Sequence, residues 1–186
     1  ATCSFDVTVN DTEDPTISCP ADVVVSTDAG TCDATGVALG SPTTSDNCPG
    51  ETTANDAPAT FPIGLTIVTW TVTDAAGNTA SCTQNVTVND TEDPTISCPA
   101  DITVSNDLGN CSAVVTYSIS STDNCAGQTI SQTAGIASGG TFPVGTTTNT
   151  FIVTDAAGNT ATCSFDVTVN DTEDPTISCP ADVVVS

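Results

Sequence analysis

FIVTDAAGNTATCSFDVTVN, residues 151–170, carries two stretches of alternating apolar and polar residues on either side of a five-residue turn. In the first, Phe151 and Val153 point one way; in the second, Ala161, Cys163, Phe165, Val167 and Val169 alternate with Thr162, Ser164, Asp166 and Thr168. A period of two sends successive side chains to opposite faces, so each stretch predicts a strand with one core face and one wet face. Between them, DAAGN (Asp155 to Asn159) supplies a Gly for positive φ and an Asp and Asn for side-chain turns, which makes the pair a hairpin. The same pattern stands earlier in the chain, with Val68, Trp70 and Val72 inward, Thr69, Thr71 and Thr73 outward, and DAAGN at Asp74 to Asn78. There Gln84 occupies the place of Phe165, a departure expected to weaken the first core.

Working outward, residues 1–26 recur letter for letter at 161–186, and NDTEDPTISCPAD at 89–101 marks a second unit inside that period. Repetition at this spacing predicts an array of similar modules. Each unit of roughly 80 residues holds about seven short strand signals and no sustained helical period, so the fold class is all-β, a series of tandem Greek-key β-sandwiches. The chain divides into a last strand of a preceding domain (1–10), one sandwich (11–89), a second sandwich (90–170) and the first strand of a following domain (171–186). NDTEDP leads directly from one strand into the next domain and its Pro stiffens the exit, which predicts a rod-like array.

The 186 residues include 23 Asp and Glu and no Lys, Arg or His, for a formal net charge of -23. Side-chain salt bridges are therefore excluded, and each carboxylate must sit in water, accept hydrogen bonds from neutral groups or bind an imported cation. Nucleic acid and anionic membranes are excluded as partners, because no basic group can displace their counterions. The sequence holds no apolar run long enough to span a membrane, so no membrane insertion is expected within this stretch. Ten cysteines with no His and no C-x-x-C pair argue against zinc or redox chemistry and for disulfides in an oxidising, extracellular setting. A cysteine nucleophile would lack a histidine base, and the carboxylates fall in repeated turns rather than one cleft, so no enzyme is expected.

The segments DPTISCPADITV (93–104), SDNC (45–48) or TDNC (122–125), and FPVGTTTNTFIVTDAAGNTATCSFDVTV (142–169) resemble the hyalin repeat, an extracellular module found in tandem, including on bacterial surfaces. The resemblance covers both complete units and both fragments. It implies an immunoglobulin-like sandwich, a structural role in an extracellular or cell-surface filament or adhesin stalk, here expected to be bacterial, and no catalytic residues. It also implies the disulfides Cys19–Cys82 and Cys98–Cys163, after which the remaining cysteines pair as Cys32–Cys48 and Cys111–Cys125. Side-by-side first and last strands agree with the first kind; sequential pairing, Cys19 with Cys32 and Cys48 with Cys82, stays open. Cys3 and Cys179 are expected to pair with neighbouring repeats, either along one polypeptide or between copies that exchange strands.

Each domain boundary carries Asp-Thr-Glu-Asp, and three negative charges in four residues repel by about 1 kcal/mol per near pair. In an immunoglobulin-like topology this boundary lies at the same end as the SDN and DAAGN loops. The first candidate metal site therefore gathers Asp11, Glu13, Asp14, Asp46, Asn47, Asp74 and Asn78. The second gathers Asp90, Glu92, Asp93, Asp123, Asn124, Asp155 and Asn159, and a third begins with Asp171, Glu173 and Asp174. Calcium, which takes about six to eight oxygen ligands, suits this inventory better than magnesium. The VNDTEDP junction also resembles the acidic calcium-binding linkers of cadherins, although the motif differs. The expected partners are copies of the chain or adjacent repeats in a filament. The alternative reading is an adhesion module that recognises a glycan or protein through loops 49–60 and 126–141, where the two units differ most.

Overall fold

The computed structural model describes residues 1–183. Its described residues form strands and no helix, in two compact units, Ala1–Glu92 and Asp93–Ser186.

In the first unit the strands are β1 (Thr16–Ser18), β2 (Val23–Ser26), β3 (Asp33–Thr35), β4 (Thr43–Ser45), β5 (Thr52–Asn55), β6 (Thr60–Pro62), β7 (Gly64–Thr73) and β8 (Thr79–Asn89). One layer has the order β2-β8-β7-β5; β1 with β4 and β3 with β6 supply the rest. The β7–β8 hairpin closes on DAAGN, with Thr73 opposite Thr79. β2 lies parallel to β8, Val23 opposite Val86, which puts the opening of the unit beside its last strand. The second unit repeats the plan with β9 (Thr95–Ser97), β10 (Ile102–Ser105), β11 (Ser112–Val115), β12 (Ser120–Thr122), β13 (Thr129–Ala134), β14 (Gly140–Pro143), β15 (Gly145–Thr154) and β16 (Thr160–Asn170). β10 pairs parallel with β16, and β13 has a register shift between Gln132 and Ala134. Each unit is an all-β, immunoglobulin-like sandwich.

The alternation read from the sequence is the burial observed. Val68, Trp70, Val72, Val86 and Val88 are buried in the first unit, and Phe151, Val153, Phe165, Val167 and Val169 in the second. The Gln84 expectation is corrected. Its side chain is fully buried, accepts a hydrogen bond from Trp70 Nε1 at 3.0 Å and donates to the carbonyls of Ala21 (2.7 Å) and Leu39 (2.9 Å). A buried amide with its partners in place carries little of the penalty that an unpaired one would. In the second unit Tyr117 packs edge-on against both Phe151 and Phe165. The buried amide there is Asn149, opposite Phe165 in the ladder, whose Oδ1 accepts from the backbone N–H of Ile136 at 2.9 Å. A Cβ at Gly135, where φ is +93°, would collide with Asn149, so the loop after β13 needs its glycine.

Cys19 bonds Cys82 and Cys98 bonds Cys163, with Cα separations of 5.8 and 5.9 Å. Each closes more than 60 residues, a constraint on the unfolded chain worth about 4 kcal/mol. Cys32 and Cys125 are also disulfide-bonded, whereas Cys48 and Cys111 are exposed free thiols. The expected Cys32–Cys48 and Cys111–Cys125 bonds are therefore not formed. Cys32 lies in the β2–β3 connection, where Thr27 N–H binds the carbonyl of Asn89 at the far end of β8. Cys48 follows β4, at the DAAGN end. With about 3.3 Å per residue, the length of β8 separates them by roughly 30 Å, and a disulfide tolerates a Cα separation of about 7 Å at most. The same plan puts Cys111 beside the exit of β16 and Cys125 at the DAAGN end of the second unit.

Residues 1–10 and 171–183 pair in no strand. Phe5, Val7 and Val9 are largely exposed, as are Cys3 and Cys179, which are free thiols. Of the expected segment 171–186, residues 184–186 lie outside the described part.

Candidate metal centre

The DAAGN turn builds the site from the bottom. Asp74 Oδ1 accepts hydrogen bonds from the backbone N–H of Gly77 (2.6 Å) and Asn78 (2.7 Å), and Oδ2 accepts from Asn78 Nδ2 at 2.7 Å. Burial alone would push the Asp74 carboxyl up, but the bonds from Asn78, Gly77 and Ala76 together hold it below its ordinary 3.8. It stays ionised although its side chain is buried. The same amide of Asn78 donates to the carbonyls of Glu13 (3.1 Å) and Asp11 (3.5 Å), which draws the segment before β1 onto the turn. Asn47 Nδ2 donates to Glu13 Oε2 at 3.0 Å and adds the loop after β4.

Three of the expected residues meet as a result. Asp11, Asp46 and Asp74 each present a carboxylate oxygen within 4.8 Å of the others. Asp11 Oδ1 accepts from Glu13 N–H and Asp46 Oδ2 from Cys48 N–H, both at 3.1 Å. Their other oxygens, Asp11 Oδ2 and Asp46 Oδ1, are buried and have no hydrogen-bond donor among the described residues. An ionised oxygen out of water and without a donor is costly. In a chain with no Lys, Arg or His, a cation from solution is the available remedy, and an all-oxygen cluster of carboxylates suits a hard one. The donor set thus fits calcium, with Asp11, Asp46 and Asp74 as the residues that would hold it. The Asp11 carboxylate also keeps the proton on the neighbouring Cys48 thiol, pushing it above its ordinary 9.0, with burial and the charges of Asp46 and Asp74 adding to the effect.

The remaining expected residues take other places. Glu13 is committed to Asn47, and Asp14 is exposed outside the cluster. In the second repeat Asp90, Asp123 and Asp155 form the counterpart set, again with oxygens within 4.8 Å of one another. Asp155 repeats the turn, accepting from Gly158 N–H, Asn159 N–H and Asn159 Nδ2 at 2.6, 2.7 and 2.8 Å. Burial would raise its carboxyl, but these bonds hold it below 3.8. Asp123 Oδ2 accepts from Cys125 N–H, and its Oδ1 is a further buried oxygen without a donor among the described residues. Asn124 Nδ2 lies 3.7 Å from Cys125 Sγ, and Asp93 is exposed.

Sequence reasoning missed how carboxylates are used at the opposite end. There Glu92 Oε2 accepts from Gly30 N–H at 2.9 Å, and Asp28 Oδ2 from the N–H and hydroxyl of Thr35 at 2.9 and 2.7 Å. The second unit repeats this with Glu173 on Gly109 N–H (2.7 Å) and Asp107 on Val114 N–H (3.1 Å). Asp171 bonds the N–H of Glu173, while Asp174 is exposed. The glycine-bearing turns TDAG and NDLG were the available signal, since each places a donor two or three residues after an Asp or Asn.

The HYR domain family model matches residues 10–88 and 89–169. The chain belongs to the HYR domain family. Hyalin of Strongylocentrotus purpuratus is 40% identical over 99% of the chain, which spans 16% of that protein; hyalin of Lytechinus variegatus is 39% identical over 99%, spanning 36%. A rat protein with sushi, von Willebrand factor type A, EGF and pentraxin domains is 33% identical over 86% of the chain, which covers 4% of it. Among solved structures, extracellular cadherin domains 1–5 of protocadherin gamma B2 align with a TM-score of 0.43 at 13% identity, covering 89% of this chain and 42% of that one. The chain is thus a pair of hyalin-like repeats with internal disulfides, an extracellular module. The named relatives are animal proteins, which gives a bacterial origin no support.

Proposed function

We propose that this HYR segment is a structural element of an extracellular filament or adhesive stalk, in which tandem sandwiches are stapled by disulfides and stiffened by calcium at the DAAGN end of each. The observation that carries the calcium part is the pair of buried, donorless oxygens on Asp11 and Asp46 beside a turn that keeps Asp74 ionised. A divalent ion supplies the positive charge that the sequence lacks, and it ties the segment before β1 to two loops of the same sandwich. The partners in this reading are copies of the chain or adjacent repeats.

Thermal melting in calcium and in excess chelator tests the reading. Calcium is expected to raise the melting temperature by many degrees, and Asp46→Asn to remove the gain of the first unit. Identical melting in both conditions would refute the calcium role. The second reading, recognition of a glycan or protein, draws on β13, whose six side chains are all exposed next to the loop held by Asn149. Saturable binding on a glycan array, abolished by replacing 126–141 with 49–60, would favour it.

A further inference from the structure

Cys48 and Cys111 are left over by the two sandwiches, at opposite ends of their respective units. Cys48 opens on a cleft at the DAAGN end shared with Asp11 and Ala75; Cys111 opens on a cleft at the other end shared with Asn110, Glu173 and Pro175. Both thiols are exposed. Their positional counterparts are not free: Cys125, which stands in the second repeat where Cys48 stands in the first, and Cys32, the counterpart of Cys111, are each disulfide-bonded. The two positions are therefore disulfide-forming positions of this module, and neither can reach the other inside one sandwich, because roughly 30 Å of strand lies between them.

A second copy of the same sequence supplies the missing partner. Residues 161–186 repeat residues 1–26, so the segment that follows β16 at the Cys111 end is the segment that leads into a unit of the Cys48 kind. We infer that Cys111 forms a disulfide with the Cys48 position of a following repeat, and Cys48 with the Cys111 position of a preceding one, so that the array is cross-linked head to tail. The reaction joins two Sγ atoms, releases two protons and two electrons, and reduces one disulfide of a small-molecule or protein oxidant to two thiols. This link is additional to any made by Cys3 and Cys179. It rests on the tandem-array reading and not on calcium.

The test uses the full chain with Cys3→Ser and Cys179→Ser, refolded in a glutathione redox buffer and examined by non-reducing electrophoresis and mass spectrometry after cleavage at Asp and Glu. The expected result is a ladder at multiples of the 18.5 kDa chain mass that collapses on reduction, with a peptide joining Cys48 to Cys111. Adding Cys48→Ser or Cys111→Ser should abolish both that ladder and that peptide, while circular dichroism confirms that the exposed substitutions leave the fold intact. A monomer whose Cys48 and Cys111 both alkylate, or cross-links that lack this peptide, would overturn the inference. If such a monomer still gains thermal stability from calcium, the link fails and the calcium reading stands.

Discussion

ATCSFDVTVN occurs twice in this protein, at 1–10 and at 161–170, with opposite fates. At 161–170 it is most of β16, the central strand between β10 and β15, with Phe165 3% exposed and Cys163 bonded to Cys98. At 1–10 it pairs with nothing, Phe5 is 83% exposed and Cys3 is a free thiol. Identical letters have identical intrinsic preferences, so the difference is entirely tertiary. A strand in this module is made by the hairpin and the parallel neighbour that flank it, and β-propensity measures fitness for that surface rather than a tendency of the isolated segment.

The largest expected effect comes from removing each copy. Deleting 161–170 takes out the middle of a four-stranded layer and one disulfide, and the second unit should lose its cooperative unfolding transition in calorimetry. Deleting 1–10 should leave both transitions within about 0.5 kcal/mol of the parent. Single truncations sharpen the contrast. Phe165→Ala should cost about 3–5 kcal/mol by denaturant titration, the usual range for emptying an aromatic site in a core, and Phe5→Ala less than about 0.5 kcal/mol. The contrast should break when the first copy is given its neighbours. In a chain where a copy of residues 90–160 precedes Ala1, Phe5 should become protected and Cys3 should vanish from the alkylation map.

A smaller effect concerns the turn that leads into β16. Asp155 and Asp74 have carboxyls held below 3.8 in the folded state. Folding therefore favours their ionised forms. Their contribution is complete above the unfolded value and is lost as pH falls below about 3.8 through the folded one. Melting temperature measured from pH 5 to pH 2 should drop over that window, and Asp155→Asn should flatten the drop in the second unit.

Much of this was legible in the sequence because it rests on local chemistry. The two-residue period of 68–73 and 161–169 and the DAAGN turns follow from patterns that a short window contains, whereas the Cys19–Cys82 and Cys98–Cys163 staples, which close 63 and 65 residues, were implied by the resemblance to the hyalin repeat. The gathering of Asp11, Asp46 and Asp74 was legible through topology alone. Gln84 was misread, since its compensation comes from Trp70 and from carbonyls more than 40 residues away in the chain. The Cys32–Cys48 pairing failed for a related reason. It came by elimination once the longer bonds were assigned, but the 16 residues traverse the sandwich and put the two cysteines at opposite poles. Glu13 and Asp14 were grouped with Asp11 by adjacency, whereas the Glu13 carboxylate is taken up by the Asn47 amide and Asp14 faces solvent.

The central claim is that carboxylates which the chain cannot satisfy are satisfied by calcium. Isothermal titration of the metal-free chain with calcium, beside the Asp46→Asn and Asp123→Asn variants, addresses it directly. The account predicts saturable binding at two classes of site, one lost in each variant and both lost in the double variant. Heats no larger than dilution, or binding unchanged in the double variant, would contradict it.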